Sequence, residues 1–146
     1  MKEMAWEMGE TSRMMRRFFD RRVSSLGITS AQWKVLLRLA REPGLKQVEL
    51  AERLDVEPIT ACRIVDRLEE AELVERQRDP EDRRAWRLVL TPKAEPIVLK
   101  LRALAEEMTG LAFEGFSTEE IGAMRSRLVR IRENIARAEA AQRESA

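Results

Sequence analysis

The sequence contains no histidine and a single cysteine, Cys62. Histidine is the usual general base near neutral pH and the commonest metal ligand. A zinc site and a catalytic Ser-His or Cys-His pair are therefore excluded. Carboxylates are abundant, but they fall on repeating charged helix faces, where solvation explains them. We expect neither an enzyme nor a bound metal ion or cofactor.

Long apolar runs are also missing. No stretch of about eighteen apolar residues occurs, and the first ten residues carry acids where a secretory signal needs an apolar core. One cysteine cannot form an internal disulfide and suits a reducing compartment. We therefore expect a cytoplasmic protein without membrane attachment. The net charge is only +1, so any basic surface for nucleic acid must be local.

The sequence does contain a series of amphipathic helices. Its 146 residues are 44% hydrophobic and 36% charged, which predicts one folded, helix-rich domain. A helical pattern runs from Trp6 to about Val23. Thr29 and Gln32 then form a capping box that predicts the start of a second helix, and Pro43-Gly44 predicts its end.

Two short helices follow at a spacing typical of a helix-turn-helix. The first is predicted from about Lys46 to Leu54, with Val48, Leu50 and Ala51 on its buried side. The second is predicted from Pro58 to about Ala71, because proline suits the first position of a helix. Its apolar side comprises Ala61, Ile64, Val65 and Leu68, and its polar side comprises Thr60, Arg63, Asp66 and Arg67. A DNA major groove admits one such helix, held from behind by a rigid support.

A charged hairpin comes directly after this second helix. Residues 73–78 and 85–90 read as strands, the latter with alternating apolar and polar side chains. The connecting segment, Asp79 to Arg84, begins with the turn dipeptide Asp-Pro. A hairpin in this position is typical of a wing, whose tip arginine can enter the minor groove. The predicted fold is thus mainly α with a small β-wing, a winged helix-turn-helix over residues 29–91.

The segments "LAERLDV", "RIVDRLEEAELVERQRDPEDRR" and "RLVLT" lie in this order between Thr29 and Thr91. In sequence and spacing they resemble the MarR family of bacterial transcriptional regulators, particularly its SlyA-like branch. The resemblance is weaker over the helical ends, yet it covers nearly the whole chain. It implies an obligate homodimer that binds double-stranded DNA. It also implies that small aromatic or phenolic compounds, or thiol oxidation, change DNA affinity.

The resemblance also implies roles for individual residues. Thr60 and Arg63 match family positions that face the bases, and Arg84 matches the wing-tip arginine. Asp82 precedes it in an Asp-x-Arg signature, and Asp66 matches an acidic position that can pair with the wing arginine. The full expected DNA-binding set is Thr60, Arg63, Arg67, Arg83, Arg84, Lys46, Gln47 and Ile59, with Asp66 and Asp82 positioning the wing. Alternatively, these arginines are solvated partners of Glu69, Glu70 and Asp82, and Ile59 packs beneath the turn.

The two ends of the chain predict a dimer interface. A long helix is expected from Thr91-Pro92 to about Phe113, with a bend possible at Pro96. Ser117 and Glu120 form a second capping box, followed by an apolar seam from Ile121 to Ala138 at spacings of three and four. We expect residues 1–26 and 92–146 to pair with a second copy. Two recognition helices related by a two-fold axis then require an inverted-repeat operator, as for a repressor.

The control of DNA binding has several candidate explanations. One is a pocket for a small aromatic ligand, lined by Met8, Met15, Phe18, Phe19 and Trp33. The same side chains could instead be dimer core. A second explanation is oxidation of Cys62 in the recognition helix, although it could equally be a buried apolar residue. From a different class, the chain could be a winged-helix module for protein interaction without DNA binding.

Overall fold

The computed structural model describes residues 1–145, in which six α-helices accompany one two-stranded antiparallel sheet. The helices are α1 Lys2–Val23, α2 Ser30–Arg41, α3 Gln47–Leu54, α4 Pro58–Glu70, α5 Glu95–Ala112 and α6 Thr118–Glu144, and the strands are β1 Val74–Arg78 and β2 Trp86–Leu90. This confirms the predicted winged helix-turn-helix. Residues 1–108 form one compact unit, and residues from 109 onward form a second.

The predicted capping box at the start of α2 is present. The Thr29 hydroxyl accepts the backbone N–H of Gln32 at 3.2 Å, and the Gln32 side chain accepts the N–H of Thr29 at 3.1 Å. Two backbone donors that have no partner within the helix are thereby satisfied. Upstream, α1 begins at Lys2, four residues before the predicted start, and ends before a left-handed Gly27 at φ 70°.

The helix-turn-helix consists of α3 and α4. Asp55 ends α3 in a left-handed conformation, at φ 53°, which aspartate tolerates better than most residues. Pro58 is the first residue of α4, as predicted. Val48 was predicted to be buried, but 62% of its surface is exposed, whereas Leu50 and Ala51 are buried. Val48 lies two residues before Leu50, about 200° around the helix, so the two side chains face opposite sides.

The core of the first unit lies behind α4. Leu68 and Val65 of α4 are completely buried and belong to a cluster with side chains from α1, α2, α5 and both strands. Its members are Phe19, Val23, Val35, Leu36, Leu39, Leu45, Leu50, Val65, Leu68, Leu73, Val74, Leu88, Ala94, Val98 and Leu101. Such a core holds α4 from behind and leaves its other sides outside.

The wing is anchored to the turn between α2 and α3. Val74 pairs with Leu90 and Arg78 with Trp86, within one residue of the predicted strands. The N–H of Leu88 donates to the carbonyl of Leu45 at 3.0 Å, and the N–H of Gly44 donates to the carbonyl of Leu88 at 3.2 Å. The sheet therefore gains a short third segment from the turn that precedes α3.

Pro96 lies at the second position of α5, which follows a 3-10 turn at Pro92–Ala94. A proline in the first helical turn removes a donor that would have no partner there, so α5 can begin around it. In the second unit, the Ser117 hydroxyl accepts the N–H of Glu120 at 3.2 Å, which confirms the second capping box. Further along α6, Leu128 and Ile135 are exposed.

Candidate nucleic-acid interface

Helix α4 has three distinct sides. Ala61, Val65 and Leu68 are buried in the core. A second side carries Ile59, Thr60, Arg63 and Arg67, all exposed. A third side carries Cys62, Asp66 and Glu69, which face strand β1 through the contacts described below.

The second side brings together four of the predicted DNA-binding residues. Ile59 is 62% exposed and does not pack beneath the turn. Within residues 1–145, neither Arg63 nor Arg67 forms an ion pair or a side-chain hydrogen bond. The alternative in which these arginines pair with Glu69 or Glu70 is therefore not found. A row of unpaired donors and one apolar side chain on a supported helix can contact base edges in a groove.

Asp79 organises the loop of the wing, although the sequence predicted it only as the first residue of a turn. It is 2% exposed. Its Oδ1 accepts the N–H groups of Glu81 at 2.8 Å and Asp82 at 3.0 Å, and its Oδ2 accepts Arg87 Nε at 2.6 Å. The N–H bond from Glu81 is the largest influence on the Asp79 pKa, and together with the Asp82 and Arg87 bonds it outweighs burial and lowers that pKa. Asp79 thus remains ionised and fixes the loop.

The wing tip is held by its own backbone. Asp82 Oδ1 accepts the N–H of Arg84 at 3.0 Å, and the carbonyl of Arg83 accepts Arg78 Nη1 at 2.6 Å. The Arg78 guanidinium in turn stacks 4.0 Å above the centre of the Trp86 ring. Within residues 1–145 the guanidinium groups of Arg83 and Arg84 form no ion pair, and both residues are exposed. Asp82 therefore shapes the backbone that presents these two arginines.

The predicted partner of Asp66 is different in the structure. Asp66 was expected to pair with Arg84, but its Oδ1 lies 2.7 Å from Nη2 of Arg76. The reason is the alternation of β1, in which Arg76 shares the side of buried Val74. That side faces α4, whereas Arg84 is at the far end of the loop. Asp66 therefore contacts the base of the wing and not its tip.

Arg76 connects three elements, and no motif in the sequence singled it out. Its Nη1 lies 3.1 Å from Glu69 Oε1, its Nη2 donates to the carbonyl of Cys62 at 3.2 Å, and its Nε donates to Gln47 Oε1 at 2.9 Å. Burial alone would lower the Arg76 pKa, but the bonds to Asp66 and Glu69 raise it above the ordinary value. The sequence could have indicated this role, because Arg76 lies two residues after Val74 and so shares its buried side of β1. A guanidinium on a buried side needs hydrogen-bond partners.

The start of α3 lies beside this network. Lys46 Nζ lies 3.9 Å from Asp79 Oδ2, a loose ion pair, and the Gln47 side-chain oxygen accepts the bond from Arg76. The amide nitrogen of Gln47 is therefore available to donate outward. A helix N-terminus with a cation and a donor attracts phosphate. Both predicted backbone-contact residues thus lie beside α4 and the wing base.

The five predicted pocket residues differ in their exposure. Phe19 is buried and makes an edge-to-face contact with Trp33 at 4.6 Å between ring centres, while Phe18 is exposed and Met8 and Met15 are half-buried. Trp33 alone of the five lines an open cavity of about 500 Å³ in the first unit. The other lining residues are Arg16, Lys34, Leu37, Arg38, Arg41, Arg53 and Leu54.

Cys62 is half-buried on the third side of α4. Its sulfur lies 3.7 Å from Arg76 Nη2 and 3.9 Å from Asp66 Oδ2.

Among residues 1–145, no group of three or more Cys, Asp or Glu side chains is placed to hold a metal ion. Over the same range, every helix is too short or too polar to cross a membrane.

Helix α4 is held by the core and exposes arginines without ion pairs. The adjacent hairpin carries two further exposed arginines, and this arrangement is typical of a DNA-binding winged helix-turn-helix. The model of the MarR family matches residues 28–86. The structure of the transcriptional regulator PA3341 is similar, with 38% identity and a TM-score of 0.85 over 92% of this chain and 98% of that one. The chain belongs to the MarR family of transcriptional regulators, as its sequence predicted.

Two further structures extend the comparison. The transcriptional regulator SlyA is 27% identical, with a TM-score of 0.79 over 92% of this chain and 95% of that one. A putative MarR family regulator from Listeria monocytogenes, in complex with a 26mer DNA, is 22% identical, with a TM-score of 0.82 over 92% of this chain and 89% of that one. The last likeness is one of fold.

Proposed function

We propose that this MarR-family regulator binds an inverted-repeat operator as a homodimer and represses transcription in the cytoplasm. The observation that carries the proposal is the exposed side of α4, where Arg63 and Arg67 have no ion pair within residues 1–145. Exposed arginines without an ion pair are free to contact DNA, whose phosphates and guanine edges accept hydrogen bonds from guanidinium groups. The Listeria relative of this fold was crystallised with a 26mer DNA.

Each part of the interface then has a distinct role. Arg63 and Thr60 contact bases in the major groove, and Ile59 contacts a thymine methyl. Arg67, Lys46 and Gln47 contact phosphates, which position the protein without selecting sequence. Arg83 and Arg84 reach the flanking minor groove from the wing tip.

The dimer of this proposal is formed by residues 1–26 and 92–146. Helix α1 exposes Met4, Trp6 and Met14, and α6 exposes Leu128 and Ile135. Burial of these apolar side chains against a second copy would remove them from water, which supports an interface on these helices. A symmetric pairing places two α4 helices about one turn of DNA apart.

We further propose that a small aromatic anion modulates DNA binding from the cavity beside Trp33. The Trp33 ring offers a stacking surface, and Arg16 and Arg41 offer positive charge without an ion pair within residues 1–145. This cavity shares Trp33 with the predicted pocket, and its other lining residues include Arg16 and Arg41. Benzoate is a suitable probe. It should release DNA from the parent at lower concentration than from Arg16→Ala, with Arg13→Ala as the matched control.

The first test is fluorescence anisotropy of labelled duplex from the region upstream of the protein's own gene. The expected result is saturable binding of two subunits per duplex, resistant to an unrelated duplex and weakened when one half-site is scrambled. Affinity should fall by about a thousandfold between low and moderate salt, since several phosphates are neutralised. Transcription in vitro from the bound promoter should decrease as protein is added.

Other outcomes separate the alternatives. Equal weak binding to both duplexes means that the operator lies elsewhere in the genome. No binding even at low salt would favour the protein-interaction module over a DNA-binding regulator. An increase in transcript on binding would replace repression with activation while leaving the DNA-binding role in place.

A further inference from the structure

The third side of α4 faces the side chain of Arg76. Arg76 in β1 contacts Asp66 and Glu69 as ion pairs at 2.7 and 3.1 Å, and it donates to the carbonyl of Cys62. On its other edge it donates to Gln47 at the start of α3. One guanidinium therefore joins α4, the wing strand β1 and the start of α3.

The geometry of the guanidinium suits this task. Its five N–H donors lie in a rigid plane, and here they reach four acceptor groups on two helices. The Arg76 side chain is 13% exposed, whereas its two carboxylate partners remain accessible to water. The backbone N–H of Arg76 also donates to Glu69 at 3.0 Å, which fixes the strand itself against α4. A lysine has one charged nitrogen and cannot make this set of bonds.

The charges add a second consequence. Asp66 and Glu69 are 49% and 43% exposed on the helix that we propose enters the major groove. Two uncompensated carboxylates there would repel the phosphates of DNA. Arg76 lies against both and supplies the compensating positive charge. The acids are thereby tolerated on a helix whose neighbouring side carries Arg63 and Arg67.

We propose that Arg76 is the positioning residue of the DNA interface, which orients α4, β1 and Gln47 together and screens Asp66 and Glu69 from DNA. This inference rests on the proposed function. Arg76 acts through these partners and does not itself read a base.

The test compares the parent with Arg76→Met and with the triple variant Arg76→Met, Asp66→Asn, Glu69→Gln. Operator affinity is measured by anisotropy over a salt series, and folding is followed by thermal unfolding. Arg76→Met is expected to weaken binding by roughly tenfold at low salt. The triple variant should recover most of that loss. The ratio of the two affinities, parent to Arg76→Met, should also shrink as salt rises, because screening weakens the repulsion.

A purely structural role predicts neither recovery in the triple variant nor a salt-dependent ratio, so the absence of both would overturn the proposal. Arg76→Lys covers the case in which Arg76→Met does not fold, and it should bind about threefold or more weaker than the parent. Parent-like binding by Arg76→Lys and Arg76→Met would overturn the inference while leaving the proposed function intact. A parent that binds no operator would overturn both.

Discussion

The buried and exposed sides of α4 differ in what their residues contact. Leu68 is completely enclosed by core side chains, whereas Arg63, five residues earlier, has no side-chain partner within residues 1–145. One side of the helix therefore packs into the core, and the other carries arginines that form no ion pair or side-chain hydrogen bond within residues 1–145. This separation means that stability and DNA affinity can be changed independently.

The largest effect is expected on the buried side. Leu68→Ala should lower the free energy of unfolding by about 2–5 kcal/mol, because it leaves a cavity behind α4. Urea unfolding at equal protein concentration measures this. Ile59→Ala, on the exposed side, is the matched control and should change stability by less than about 0.5 kcal/mol. Similar losses for both variants would mean that the two sides are not separate.

The next effect concerns the exposed side. Arg63→Ala should cost about 1–3 kcal/mol of DNA binding and relax base preference at one position of each half-site. Its unfolding curve should match that of the parent. Arg143→Ala removes the same charge from the last turn of α6 and serves as the control in the anisotropy assay. Undiminished affinity in Arg63→Ala would remove this residue from the interface.

A smaller effect is expected at the wing tip. Arg84→Ala should weaken binding with little change in major-groove preference and should reduce the slope of affinity against salt by about one contact. Titration of operators with varied flanking sequences at two salt concentrations separates the change in base preference from the change in salt dependence. A strong change in base preference within the half-site would place Arg84 in the major groove instead.

The smallest effect depends on pH and concerns the base of the wing. Asp79→Asn keeps an oxygen acceptor but loses the charge beside Arg87. Because folding lowers the Asp79 pKa below its ordinary value of 3.8, the charge stabilises the fold above that value and less so as pH falls through the folded pKa. The difference in unfolding free energy between parent and variant should thus be steady near neutral pH. It should close below about pH 4, and a difference that widens in acid would contradict the assignment.

Local features of the fold were predictable from the sequence, and long-range contacts were less so. The capping boxes at Thr29 and Ser117 and the proline start of α4 depend on residues three positions apart or fewer, and all were found where expected. Periodicity also placed Leu68 in the core and Arg63 outside. It failed for Val48, because a helix of eight residues offers few apolar positions from which to judge its buried side.

The partners of charged residues were the hardest to predict. Asp66 and Arg76 are ten positions apart and meet only because β1 runs back along α4. Asp79 meets Lys46 and Arg87 only after the wing closes on the turn before α3. Sequence spacing gives the side of an element on which a charge lies, but the opposing element is fixed by the tertiary fold.

The short third segment beside β2 has a dynamic consequence. The amide hydrogens of Leu88 and Gly44 bond across the junction between the wing and the α2–α3 turn, so neither can exchange with solvent until that junction opens. Exchange at these two amides should occur in one shared event, as slow as local unfolding of the lobe. Between such openings, the wing stays fixed to the turn that leads into α3.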